Sequence, residues 1–170
     1  SFSLNLDQLL QEKIKKNDEV DEQRVKQFKK LSDEGKLKQK ALEWIMGRPH
    51  SERELRDYLY RKKAEKDLIE SIVEEFREKK YLNDEAFASW FVELRRRKNK
   101  SSREISSELK SKGISSEIVQ TVLAEDEKSD KEALRLLIRK LKTRTRYQDE
   151  NKLKAYMISK GFSYSEIKEA

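Results

Sequence analysis

Residues 87–123 read FASWFVELRRRKNKSSREISSELKSKGISSEIVQTVL, and their spacing decides the fold. Phe87, Trp90, Phe91 and Leu94 recur at helical intervals and lead into the basic run Arg95, Arg96, Arg97 and Lys98. Ile105 and Leu109 stand four apart and precede Gly113, and Ile118, Val119 and Val122 share a further face. Apolar residues three and four apart predict helices, whereas a half-buried strand would alternate. Ser101 followed by Glu104 has the pattern of a capping box, in which each side chain satisfies an amide at the helix start. Gly113 suits a helix end, because it turns left-handed without a Cβ clash. Ser115 or Ser116 then starts the third helix. The stretch predicts a short three-helix unit with a basic corner.

The same unit recurs on both sides. Leu55, Leu59, Ala64, Leu68, Ile69 and Ile72 precede Ile105, Leu109, Ile114, Ile118, Val119 and Val122 by a constant 50 positions. Ser51 and Glu54 repeat the capping pattern. Leu153, Met157, Gly161 and Phe162 follow Ile105, Leu109, Gly113 and Ile114 by 48 positions, and Ile167 aligns with Ile118 after a one-residue slip. A period near 50 residues predicts tandem repeats, each too small to bury its apolar face alone, so that neighbours must stack. The expected architecture is all-α: three stacked helix-turn-helix-like units in an elongated, curved array.

Composition agrees with thin helical layers. Charged residues make up 43% of the 170 and hydrophobic residues 35%, with one proline and four glycines. No cysteine is present, which excludes disulfides and thiolate metal sites. The single histidine, His50, beside Pro49, is expected in a solvated turn, and no metal or other cofactor is expected. No apolar run approaches the roughly 20 residues of a membrane span. A soluble, cytoplasmic protein is the expectation.

Along the chain, Phe2, Leu4 and Leu6 alternate with polar residues as a short strand does, and the chain opens without an initiator Met, as a fragment would. Leu9, Leu10 and Ile14 predict a helix over Asp7–Lys16; Val25, Phe28 and Leu31 predict another from Asp21 to Glu34, ended by Gly35. Residues 1–36 are expected to form an extension with no binding role. The repeats are placed at 37–83, 84–129 and 130–170, with the last helix cut at Ala170. In the first, Ala41, Trp44 and Ile45 share a face, and Asn83 or Asp84 caps the helix that follows Tyr81-Leu82. Trp44 and Trp90 are expected in the core.

Charge is uneven. Residues 131–170 hold eleven basic and five acidic side chains, which supplies most of the chain's net +7. Leu134, Leu137, Ile138 and Leu141 predict one helix face, and Arg135, Arg139, Lys142 and Arg146 then fall on one exposed stripe. Two sets are candidates for contact with an anionic partner: Arg95, Arg96, Arg97, Lys98, Lys100 and Arg103; and Arg135, Arg139, Lys142, Arg144 and Arg146. The acidic run Glu125-Asp126-Glu127 reads as a solvated join between repeats. Clustered cations suit phosphate backbones, and equally acidic protein surfaces. The third helices carry few residues able to read base edges, which disfavours operator recognition. Four dispersed glycines exclude a phosphate-cradling loop, and one turn histidine supports no hydrolytic triad, so no catalytic residue is assigned.

Four segments in order carry a family resemblance: Arg48-Pro49-His50-Ser51-Glu52-Arg53-Glu54-Leu55-Arg56-Asp57-Tyr58-Leu59; Tyr81-Leu82-Asn83-Asp84-Glu85-Ala86-Phe87-Ala88; Glu108-Leu109-Lys110-Ser111-Lys112-Gly113-Ile114; and Lys160-Gly161-Phe162-Ser163. Together they resemble the RecX family of bacterial regulatory proteins, from about Leu37 onward. The resemblance implies tandem three-helix repeats and a non-enzymatic modulator of the RecA recombinase. Such a modulator binds the RecA–single-stranded DNA filament, lodges in its groove and inhibits ATP hydrolysis, strand exchange and co-protease action. A monomer with direct contact to DNA is the further expectation. The alternatives are a DNA-binding repeat protein acting without RecA and a scaffold for an acidic protein. Two positions depart from the repeat pattern: Lys62-Lys63 stands where Lys112-Gly113 does, and Lys152 stands where Glu104 does.

Overall fold

A computed structural model describes residues 21–126 and 129–170. The strand expected at Phe2–Leu6, the helix expected over Asp7–Lys16, and Glu127 lie outside the described residues. Among the described residues there are nine α-helices and no strand. They fall into threes: α1 Glu22–Met46, α2 Glu52–Arg61 and α3 Lys66–Glu78; α4 Asp84–Arg96, α5 Ser102–Ser111 and α6 Ser116–Ala124; α7 Asp130–Lys142, α8 Glu150–Ser159 and α9 Tyr164–Glu169. A 3-10 turn at Thr145–Tyr147 lies between α7 and α8. The described residues divide into two compact units, one up to Arg48 with Leu55–Tyr81, the other Pro49–Glu54 with Leu82–Ala170.

Burial follows the repeat. In the first unit Phe28, Ala41, Ile45, Leu55, Leu59, Ile69, Ile72, Val73 and Phe76 are buried. In the second unit Phe87, Phe91, Ile105, Leu109, Ile114, Val119 and Val122 form one core. Leu134, Leu141, Leu153, Met157, Phe162 and Ile167 form another. Ile167 is buried as Val119 is, and the caps Ser115 and Ser163 are 48 apart, so the third repeat needs no one-residue slip. Ser115 and Asn83 are the caps, accepting from the amides of Ile118 and Ala86. Trp44 is half-buried and stacks on Tyr58 with ring centroids 4.6 Å apart, and half-buried Trp90 packs on the second-repeat core.

Several expectations are corrected. Gly35 does not end a helix; α1 runs through it. Phe28 and Ser32 before it and Ala41 and Ile45 after it are buried on this one helix, and that burial outweighs the roughly 1 kcal/mol that a mid-helix glycine costs. His50 is not solvated but buried, with Nδ1 3.0 Å from Glu54 Oε2. Ser101 accepts from the Glu104 amide, yet the Glu104 carboxylate turns to Lys100 instead of completing the box. The reciprocal box forms at Ser163 and Glu166.

The joints between repeats within the second unit are built from these caps. Ser51 Oγ accepts from the Glu54 amide and donates to the carbonyl of Lys112 at 2.9 Å. Ser101 Oγ accepts from the Glu104 amide and donates to the carbonyl of Lys160 at 2.6 Å. Each carbonyl belongs to the residue before a left-handed glycine, Gly113 at φ 84° and Gly161 at φ 87°. A Cβ on Gly113 would lie 2.8 Å from that of Arg53, and one on Gly161 2.8 Å from Ser101 Oγ. These glycines serve the turn and the close approach together. Lys63 adopts the same left-handed turn, at φ 62°, without a glycine.

Candidate nucleic-acid interface

The two basic sets have different fates. In the first, Arg96 is not a surface residue. It is the last residue of α4, buried against the start of α5 and of α7. Its guanidinium donates to Asp126 and Asp130 at 2.6 Å each, to the Lys100 carbonyl at 2.8 Å and to Ser102 Oγ at 2.7 Å. Burial alone would ease its proton off, but the hydrogen-bonded carboxylates of Asp130 and Asp126 outweigh that and raise its pKa. Asp126 is therefore an ion-pair partner, not part of a solvated join, because an unpaired cation at this depth would be prohibitively costly.

Around it the set is largely neutralised. Arg95 donates to Glu108 at 2.5 Å, with its guanidinium 4.4 Å from the Phe91 ring centroid. Arg97 donates to Glu93 at 2.5 Å, and Lys100 pairs with Glu104. Lys98 and Arg103 remain exposed.

The second set stays open. Arg135, Arg139, Lys142, Arg144 and Arg146 are all exposed, and no carboxylate lies within 4.0 Å of any of them among the described residues. Arg135, Arg139 and Lys142 share one exposed face of α7, roughly a third of a turn round from buried Leu134 and Leu141. The helix ends at Lys142, so Arg146 is not on its stripe; it lies in the 3-10 turn, 5.8 Å from the Tyr147 ring centroid. Lys140, exposed on the same helix and also without an ion pair, was missed because it falls outside the 135–139–142 spacing. Exposed Leu136 lies among these cations. Cations in the last turn of α7 are favourable beside its C-terminal carbonyls. The nearby acids are spent elsewhere, Glu169 on Lys131, Asp149 on Lys152 and Glu150 on Lys154.

Among the described residues no group of acidic or histidine side chains is placed to hold a metal, and no helix is long and apolar enough to cross a membrane. What the geometry presents is a tandem three-helix-repeat protein whose last repeat carries an uncompensated basic surface. The family models for the first, second and third three-helix domains of RecX match residues 38–76, 83–123 and 129–170 in that order. The chain belongs to the RecX family of regulatory proteins. It is 32% identical to the regulatory protein RecX of Bacillus pumilus over 176 aligned residues, which cover 100% of this chain and 67% of that protein. Its identity to the regulatory protein RecX of Clostridium botulinum is 28%, over 99% of this chain and 82% of that one. A crystal structure of a regulatory protein RecX superposes with TM-score 0.80 at 22% identity, over 100% of this chain and 90% of the other. RecX from Lactobacillus salivarius matches with TM-score 0.67 at 26% identity, over 80% and 92%.

Proposed function

We propose that this chain regulates a RecA-type recombinase without chemistry of its own, by binding the RecA–single-stranded DNA filament and restraining it. The repeats at 37–83, 84–129 and 130–170 occlude the filament groove, and the protein works as a cytoplasmic monomer without a cofactor. The observation that carries this reading is the run of free cations from Arg135 to Arg146 in a chain whose other basic set is mostly self-paired. Phosphate neutralisation by such cations releases counterions and gives salt-dependent affinity. The regulatory role itself comes from membership of the RecX family.

The test is fluorescence anisotropy on labelled single-stranded DNA, bare and coated with RecA and a non-hydrolysable ATP analogue. Tighter binding to the coated strand is expected. R135E/R139E/K142E should weaken it by about tenfold or more at low salt, whereas R95E/R97E, which disrupts cations already paired, should cost much less. Equal binding to bare and coated DNA would sink the filament reading and leave a general DNA-binding repeat protein.

A further inference from the structure

The first unit contains a groove that the function above does not use. It lies between α1 and the turn joining α2 to α3 and has a volume of about 620 Å³. One face of α1 lines it with Lys26, Lys29, Lys30, Lys36 and Lys40, and the turn adds Lys62 and Lys63. Only Asp33, Glu34 and Glu65 oppose these seven cations. The three acids are engaged by two lysines: Lys30 reaches Glu65 at 3.1 Å and Glu34 at 3.9 Å, and Lys36 reaches Asp33 at 4.0 Å. Lys26, Lys29, Lys40 and Lys63 have no carboxylate within 4.0 Å among the described residues. The floor is apolar, formed by half-buried Leu37, Ala64 and Leu68.

The repeat shows why this wall is open. In the second and third repeats the equivalent turn is a joint: its carbonyl takes a serine hydroxyl, and its glycine lets the preceding repeat close in. In the first repeat the turn carries Lys63 at φ 62°, where a glycine would be at ease and a side chain is strained. A lysine kept there places a charge on the groove.

We propose that this lysine-lined groove binds an acidic peptide segment bearing apolar side chains. Acidic residues would meet the unpaired lysines, and an apolar side chain would cover Leu37 and Leu68. The lining holds no aromatic ring on which a base could stack and no guanidinium to grip a phosphate with two bonds, which disfavours a nucleic acid. The proposal does not depend on the third-repeat surface, since none of its residues is shared.

The test uses the full chain and a short labelled peptide rich in Asp and Glu with two leucines, read by anisotropy at low salt. K26E/K29E/K63E is expected to weaken binding by about tenfold or more, and replacing the peptide leucines by serine should weaken it several-fold. K63G keeps the experiment decisive should the triple variant unfold. It should lower peptide affinity while leaving the melting temperature level or higher, a split that a purely structural lysine would not show. Absence of peptide binding by the wild-type chain, or affinity unchanged in K63G and the triple variant, overturns the proposal. So does a single-stranded oligonucleotide that binds as tightly and loses affinity by the same factor, which would make the groove a phosphate site.

Discussion

A single β-carbon on Gly161 would lie 2.8 Å from Ser101 Oγ and 3.2 Å from the Arg103 β-carbon, at a backbone angle φ of 87°. Both terms oppose substitution, so Gly161→Ala should cost about 2 kcal/mol in urea denaturation; a change within experimental error would show that the joint relaxes. Ser101→Ala removes both the cap on the Glu104 amide and the bond to the Lys160 carbonyl, and should cost about 1–2 kcal/mol. Asp149 caps α8 and accepts from the amides of Lys152 and Asn151, which hold its carboxyl below the ordinary aspartate range. A folded-state value below the unfolded one gives stability that is present at neutral pH. It is lost as pH falls from the ordinary aspartate value through the depressed one. Asp149→Asn should flatten the acid limb of thermal stability across that window, and carboxyl NMR titration of the wild type should place the midpoint below an unstructured aspartate.

Arg96 acts at the scale of elements, tying the end of α4 to the starts of α5 and α7. Asp130, the first residue of α7, accepts from Arg96, from the Ser102 amide and from the Ser102 hydroxyl. A carboxylate at a helix N-terminus is favoured by the exposed amides there. Arg96→Met would remove the buried cation that Asp126 and Asp130 share, and should cost about 3 kcal/mol. Faster amide exchange at Ser102 than at Val119 would locate the damage at this junction; a variant as stable as wild type would show the cluster to be dispensable. Local pattern marks the helices that meet here, since Phe87, Phe91, Ile105 and Leu109 stand at helical spacing and are buried. It does not mark the junction. Arg96 differs in sequence from Arg95 and Arg97 only by one position, yet a rotation of about 100° per residue turns it inward.

Among the described residues the cations sort into neutralised and free, and two clusters of free ones stand out: the α7 segment and the groove beside α1. Binding through the α7 segment should fall steeply with salt. Removing the charges of Arg135, Arg139 and Lys142 should lower the slope of log affinity against log salt by about 2 on single strands, and an unchanged slope would place the phosphate contacts elsewhere. The sequence by itself determined the helices, except that α1 continues through Gly35, together with their grouping in threes, the 50- and 48-residue periods and the family, because these rest on spacing within a turn and on residues that recur in order. It also held the stripe Lys26, Lys30, Leu37 and Lys40, but nothing local says that the Lys62–Lys63 turn completes a groove there. Only the tertiary structure decided which charges remain available. Arg95 meets Glu108 thirteen positions away, and Arg96 meets Asp126 and Asp130 at thirty and thirty-four. Ion pairing depends on distance in space, and the fold alone converts sequence separation into distance.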